Sequence, residues 1–161
     1  MPPWKETPHH SGWYPMWPYT SNEVEYLTTP PDKTAPRGEL AARTLAMPAH
    51  ANPSGDIFGG WIMSLMDEAG AMTAIRHAQA RVVTVAATDM AFLHPVKVGD
   101  VVCCYTELAR LGRTSLTLHI EVWVLRAGLG DRMKVTSAEF TFVALDAAGK
   151  PRPIADRPAG H

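Results

Sequence analysis

The chain has 161 residues, of which 46% are hydrophobic and 19% are charged, and its formal net charge is -1 with histidine neutral. This length fits one domain with a sizeable core. The charge excludes a strong bulk attraction to nucleic acid or to an anionic membrane, and the sequence contains no apolar run long enough to span a bilayer.

Residues 1–37 form an extension crowded with proline, which removes amide donors and opposes both helices and central strands. The same segment carries six aromatic side chains, namely Trp4, Trp13, Tyr14, Trp17, Tyr19 and Tyr26. The proline content predicts a poorly ordered extension. The alternative is an arm that docks its aromatic side chains on the domain or on a neighbouring subunit.

A single domain is predicted over residues 38–153, beginning with a strand over residues 39–47. A loop rich in turn-forming residues follows over residues 49–56. Residues 58–79 are predicted to form a helix, because their apolar side chains recur at helical spacing. The helix is apolar on its other faces too, which predicts burial on most sides.

Four predicted strands follow the helix, over residues 82–93, 101–109, 115–125 and 132–145. Apolar and polar residues alternate with period two in the third of them. Short connections favour antiparallel neighbours, so the expected fold class is α+β, with a curved antiparallel sheet around one long helix. Residues 154–161 are expected to be frayed.

The two cysteines, Cys103 and Cys104, are adjacent. Neighbouring side chains on a strand point to opposite faces, so a disulfide between them is not expected. They are also too few for a disulfide framework and lack the spacing of a zinc site. No charged segment followed by an apolar run opens the sequence, so we predict no secretory signal and expect a cytoplasmic location.

Five blocks in unbroken order between residues 38 and 153 resemble the YciA-type acyl-CoA thioesterases. The blocks are Arg43–Pro48, Gly55–Ser64, Arg81–Val85, Val98–Tyr105 and Glu121–Val124. The resemblance implies the hotdog fold and hydrolysis of acyl-CoA to free acid and CoA, which is part of the substrate, with no further cofactor. It also implies homo-oligomers, as a dimer of hotdogs or a trimer of dimers, with each site shared between two subunits. The loop departs from the family at His50, Ala51 and Ser54.

Asp56 is the predicted catalytic carboxylate, acting as a general base on water or as a nucleophile on the thioester. The helix that follows presents free N–H groups and the positive end of its dipole. Gly59 and Gly60 have no side chains, so a carbonyl oxygen could approach their amides. We predict Gly60 as the principal oxyanion donor and Gly59 as the second. Judged on position alone, Asp56 would be a helix N-cap.

Asn52 is predicted either to orient the water or the thioester carbonyl, or to form an Asx turn beside Pro53. Asp67 is a rival catalytic carboxylate, because some other hotdog thioesterases place theirs along this helix. For both Asp67 and Glu68 we prefer a polar contact to the sheet or to a partner subunit.

The phosphates of CoA require basic side chains near the site. The candidate CoA-binding residues are Arg81, Val83, Arg110, Gly112, Arg113, Thr114, Ser115 and Lys134. The best cluster is Gly112–Ser115, where amides and hydroxyls accompany a guanidinium. A solvated hairpin turn is the alternative for this cluster.

Two other functions remain open. A non-catalytic acyl-CoA-binding hotdog module would have no need for the Asp56 carboxylate. A hotdog enoyl-CoA hydratase or dehydratase would pair a histidine with a carboxylate, and His50 is the only histidine close to Asp56 in sequence. The remaining histidines lack metal-ligand spacing, so no metal site is predicted.

Overall fold

The computed structural model describes residues 35–154. The predicted N-terminal extension lies outside this range except for its last three residues, and so does the predicted frayed end except for Ile154. Ile154 is buried against the core, and its N–H donates to the Arg113 carbonyl at 2.8 Å. The ordered chain therefore continues at least to residue 154.

Within residues 35–154, five strands and one long helix make up the fold. They are β1 (Glu39–Leu45), α1 (Gly59–Ala78), β2 (Arg81–Phe92), β3 (Val101–Leu111), β4 (Ser115–Leu125) and β5 (Arg132–Leu145). The bounds of β4 and β5 are those predicted, and α1 is one residue shorter at each end. β1 ends before the predicted residue 47, because the backbone of Ala46 bonds to a loop at Gly99 and Asp100 instead of to a strand.

The strands form one antiparallel sheet in the order β1-β3-β4-β5-β2. Register shifts that mark β-bulges occur in all four pairings, and bulges bend a sheet. The predicted α+β arrangement is confirmed. β1 and β2 are the edge strands, so the outer edge of β2 has no strand beside it within the described residues.

α1 packs against one face of this sheet. On β4 the inward side chains are Leu116, Leu118, Ile120, Val122 and Val124, all at most 1% exposed. Complete burial of one such side chain contributes roughly 1.5–3 kcal/mol. Gly70 marks the closest approach, because a Cβ there would lie 2.7 Å from Ile120 Cδ1 and 2.8 Å from Phe142 Cζ.

The other side of α1 is not covered by any part of residues 35–154. Met63, Met72 and Ile75 are 42%, 66% and 43% exposed, and Val85 on β2 is 56% exposed. The predicted burial of α1 on most sides is therefore not reached by residues 35–154 alone. Large apolar side chains beside a free sheet edge mark a surface for association.

The two cysteines point to opposite faces of the sheet, as predicted. Cys104 belongs to the core beneath α1, whereas Cys103 packs with Tyr105 and Trp123 on the outer face. Both are free thiols. Burial, and to a smaller extent the neighbouring Cys103 and Glu68, raises the pKa of Cys104 to about 12. Cys104 is therefore protonated and unreactive at neutral pH.

No helix in residues 35–154 has the length and apolar character needed to cross a membrane.

Candidate active site

A tight loop presents Asp56, and Asn52 closes it. The Asn52 side-chain oxygen accepts the N–H of Ser54 at 2.9 Å and that of Asp56 at 3.1 Å. The Asn52 N–H donates to the Asp56 carbonyl at 2.6 Å. The Asx-turn prediction for Asn52 is confirmed, and the turn fixes the backbone on which the Asp56 carboxylate stands.

Asp56 does not cap the helix. The N-cap residue of α1 is Phe58, and no side chain caps that end. The chain stays extended up to this point, because the Ile57 N–H bonds to the Val96 carbonyl at 2.8 Å and Asp56 forms a β-bridge with Lys97. The N-cap hypothesis for Asp56 is therefore wrong, and the helix begins three residues after it.

The first two amides of α1 are available to a ligand. Within residues 35–154, neither the Gly59 N–H nor the Gly60 N–H donates a hydrogen bond. A Cβ on Gly60 would meet nothing within 4 Å, whereas one on Gly59 would lie 3.2 Å from Phe92 Cζ. Free amides at a helix N-terminus bind negative charge, so this arrangement can hold an oxyanion beside Asp56.

Lys97 is the residue of this site that the sequence did not reveal. Its ammonium contacts the Asp56 Oδ1 atom, and the two side chains are 48% and 32% exposed. The residues are 41 positions apart, and no motif links them. Only the tertiary fold brings the loop after β2 against the loop before α1.

Asp67 lies away from the free amides. It is eight residues into α1 from Gly59, which corresponds to about 12 Å along the helix axis. Its Oδ1 atom accepts the Thr84 hydroxyl of β2 at 2.5 Å. The preferred prediction for Asp67, a polar contact to the sheet, is confirmed.

The structure gathers most of the predicted CoA-binding residues at one end of the sheet. Arg81 and Val83 on β2 pair with Leu145 and Val143 on β5. On the other side of β5, Ser115 pairs with the same Val143. The Thr114 carbonyl accepts the Ala144 N–H at 2.9 Å, so the turn that contains Gly112 and Arg113 belongs to this group. Arg110 lies just before that turn on β3.

Lys134 does not join this group. It lies near the opposite end of β5, about 30 Å along the strand from Val143. Its ammonium instead binds Glu121 Oε1 at 2.9 Å, and its side chain is only 17% exposed. A register shift pairs Lys134 with Trp123 of the outer face, so Lys134 lies on that face beside Glu121, where it forms a buried ion pair. The structure thus separates Lys134 from the basic group to which the sequence assigned it.

Glu121 is a buried carboxylate with a full set of donors. Trp123 Nε1 donates to it at 2.8 Å, the Arg37 backbone N–H at 3.1 Å, and His119 Nε2 lies 3.4 Å away. Burial alone would raise the pKa of Glu121, but the hydrogen bonds from Lys134, Trp123 and Arg37 outweigh it and lower the pKa. Glu121 is therefore ionised and structural.

His50 makes no hydrogen bond to Asp56 within the described chain. Its ring stacks on Trp61 at 4.4 Å between centroids, and its Nδ1 atom accepts the Met47 N–H at 3.4 Å. The histidine–carboxylate pair expected of a hydratase is thus not formed. In residues 35–154, no three His, Cys, Asp or Glu side chains are grouped so as to hold a metal ion.

A cavity of about 450 Å³ lies elsewhere, between the C-terminal half of α1 and the beginning of β1. Its lining comprises Gly38, Glu39, Thr73, Arg76, His77, Thr106, Glu107 and Leu108. None of these residues belongs to the Asp56 loop or to the first turn of α1. The Asp56 carboxylate and the free amides of α1 therefore lie outside this cavity.

Comparison with known proteins gives consistent results. Residues 54–130 match the thioesterase superfamily model. The acyl-CoA thioester hydrolase YciA of Salmonella typhimurium is 55% identical over 122 residues, which cover 74% of this chain and 92% of that protein.

Solved structures of thioesterases are similar to this chain in sequence and fold. A hexameric thioesterase from Yersinia pestis is 54% identical with a TM-score of 0.72, covering 76% of this chain and 100% of that one. A hexameric hotdog fold thioesterase of Campylobacter jejuni is 39% identical with a TM-score of 0.70, covering 74% and 92%.

Proposed function

This chain belongs to the YciA-type family of hotdog acyl-CoA thioesterases, and we propose that Asp56 is the carboxylate with which it hydrolyses acyl-CoA to a free acid and CoA. The observation that carries this proposal is the position of Asp56, three residues before a helix whose first two amides donate no hydrogen bond within residues 35–154. A binding module would need no carboxylate at this point.

The reaction needs an attacking oxygen and a sink for negative charge. In the general-base route, Asp56 removes a proton from water as the water oxygen attacks the thioester carbonyl carbon. The tetrahedral intermediate then breaks its C–S bond and releases the CoA thiolate, which takes up the proton from Asp56. In the nucleophilic route, a carboxylate oxygen of Asp56 attacks the same carbon, releases the CoA thiolate and forms a mixed anhydride that water then hydrolyses. Both routes pass through an oxyanion.

The amides of Gly60 and Gly59 stabilise that oxyanion in this proposal. They are fixed by the helix before the substrate arrives, so their orientation requires no reorganisation during the reaction. Gly60 is the principal donor, because the space where its Cβ would stand is empty to 4 Å. The loss of one such donor typically costs about 3 kcal/mol of transition-state stabilisation.

CoA binding requires a second subunit in this proposal. The predicted CoA-binding residues at one end of the sheet, which form the basic group, include Arg81 and Arg113. This group begins where α1 ends, about 30 Å from Asp56 along the 20-residue helix. A two-fold axis can pair the free edge of β2 with the same edge of a second copy. The two β2 strands then run antiparallel, so the end of the partner's β2 that begins at residue 81 lies beside the Phe92 end of this chain's β2. Phe92 lies beside Gly59, so the partner's basic group would reach the Asp56 site.

We further propose that such dimers assemble as trimers of dimers, as hexameric relatives support. The exposed apolar side of α1 next to β2 supports the dimer. The proposed chemistry uses only protein groups, water and the CoA that belongs to the substrate, so it requires no cofactor. Two free buried thiols support a location in the reducing cytoplasm.

The first test is free-thiol release from acetyl-, butyryl- and palmitoyl-CoA by the full-length protein. We expect Asp56→Asn to lower the rate at least about a hundredfold, as is typical for loss of a catalytic base or nucleophile. Asp67→Asn is the matched control and should retain activity. Wild-type activity in Asp56→Asn would reject the assignment and make Asp67 the candidate.

The second test asks whether two subunits share the site. Asp56→Asn and Arg81→Glu chains are co-expressed with different tags, and each variant is also assayed alone. Because one of the two sites in every heterodimer then has both residues intact, mixing should restore about a quarter of wild-type activity. No gain over the separate variants would show that both residues act within one chain.

A further inference from the structure

Lys97 lies against Asp56 because the backbone delivers it there. The two residues form an antiparallel β-bridge, and the preceding pair is joined by the Ile57 N–H and the Val96 carbonyl at 2.8 Å. From this bridge the Lys97 side chain reaches back, and its ammonium contacts Asp56 Oδ1. The contact therefore depends on the backbone pairing of the two loops and not only on the length of the lysine side chain.

The loop that carries Lys97 is itself fixed to the domain. The Lys97 N–H donates to Asp100 Oδ2 at 2.9 Å, and the Lys97 carbonyl accepts the Asp100 N–H at 3.1 Å. Asp100 is 1% exposed and is paired with Arg126 at 2.9 Å. A buried, paired carboxylate therefore holds the backbone of Lys97 in place, so the ammonium is presented to Asp56 from a rigid support.

This ion pair has little to contribute to folding. Its side chains are 48% and 32% exposed, and exposed pairs of this kind add little to stability, since water screens them and both side chains lose freedom. The fixed backbone position of Lys97 therefore indicates a role other than stability. The free amides of Gly59 and Gly60 indicate what that role is.

The free amides of α1 begin three residues after Asp56 in the chain. Asp56 is not the N-cap, but a carboxylate near a helix N-terminus is attracted to its free N–H groups, and no side chain caps α1. If the carboxylate turned toward Gly59 and Gly60, it would occupy the amides that the oxyanion needs. The ammonium of Lys97 instead engages Oδ1 and leaves the second oxygen to act on water or thioester.

We propose that Lys97 is a positioning residue, which holds the Asp56 carboxylate in its working orientation and keeps it off the Gly59 and Gly60 amides. This inference rests on the proposed role of Asp56. A different role, in which Lys97 anchors a phosphate of CoA, would act on substrate binding and is separated from it by the test below.

The test measures kcat and KM for the full-length Lys97→Met and Lys97→Arg proteins. Lys97→Met keeps the length of the side chain but removes its charge. We expect its kcat to fall at least about tenfold, since misplaced catalytic groups cost one to two orders of magnitude, with KM changed less than about twofold. Lys97→Arg should recover most of the lost kcat, because it restores the cation. Lys150→Met, in the exposed turn after β5, is the control.

A double-mutant cycle then asks whether Lys97 acts through Asp56. Removal of Lys97 should have no further effect on the residual rate of Asp56→Asn, because the group that it positions is already lost. An additive loss would overturn the inference. So would a kcat for Lys97→Met within twofold of wild type, or a raised KM at unchanged kcat, which is the result expected of a phosphate anchor.

The two proposals fail in distinguishable ways. If Asp56→Asn keeps wild-type activity, the role of Asp56 itself is rejected. If Asp56→Asn is inactive while Lys97→Met keeps its kcat, only the role of Lys97 is rejected.

Discussion

Two carboxylate–lysine pairs occupy different regions of this molecule, and they are built in opposite ways. Glu121 and Lys134 are buried on the outer face of the sheet, with side chains 3% and 17% exposed. Asp56 and Lys97 lie in loops near the start of α1, 32% and 48% exposed. The same two functional groups therefore form one buried pair and one pair that is partly exposed to water.

The pairs also differ in how many donors each carboxylate has. Both oxygens of Glu121 are engaged, by Lys134, His119, Trp123 and the Arg37 amide. For the Asp56 carboxylate, the contact within residues 35–154 is that of Lys97 with Oδ1. A fully satisfied carboxylate stabilises a fold, whereas one with a spare oxygen beside free amides is equipped for chemistry.

The comparison predicts that the buried pair controls stability. Glu121→Gln leaves Lys134 without its counter-charge, and loss of one partner of a buried pair costs about 3 kcal/mol. We expect a lower urea midpoint at fixed protein concentration, with kcat per folded molecule unchanged. A large fall in kcat at undiminished stability would show that the two regions are not divided in this way.

The open amides give a prediction in the opposite direction. Gly60→Ala adds a methyl group where nothing lies within 4 Å, so it should not lower the melting temperature, and alanine favours the helix. The methyl group would stand where the thioester oxygen approaches, and we expect kcat to fall at least about tenfold. Lys150→Ala, in the exposed turn after β5, is the control and should change neither quantity.

The smallest expected effect is on the dependence of stability on pH. The pKa of Glu121 in the folded protein lies below its ordinary value of 4.5. Its ionised form therefore stabilises the fold above that ordinary value, and this contribution is lost as the pH falls through the lowered pKa. Urea midpoints measured from pH 7 to pH 3.5 should fall more steeply for wild type than for Glu121→Gln. Parallel curves would contradict the role given to Glu121.

Much of the fold follows from local patterns in the sequence. The bounds of β4 and β5 could be predicted because alternation with period two and turn residues at both ends are local signals. The bulges and the strand order depend on pairings between distant residues, which no local pattern specifies.

The candidate site likewise contains residues that a local pattern reveals and residues that only the tertiary fold brings together. Asp56, Gly59 and Gly60 lie within five residues of one another, so a motif could reveal them. Lys97 could not be found, because its contact depends on a bridge between two loops. The charge of Lys134 is evident from the sequence and predicts a place among the CoA-binding residues, whereas its pairing with Glu121 depends on the register of β4 and β5.

The most direct test of the division between the two regions is to measure kcat and the melting temperature of Asp56→Asn on the same preparation, beside Glu121→Gln. We predict that kcat for Asp56→Asn falls at least about a hundredfold, while its melting temperature stays within about 2 °C of wild type, as for loss of an exposed ion pair. A kcat within twofold of wild type would contradict the account. So would a drop in melting temperature as large as that of Glu121→Gln.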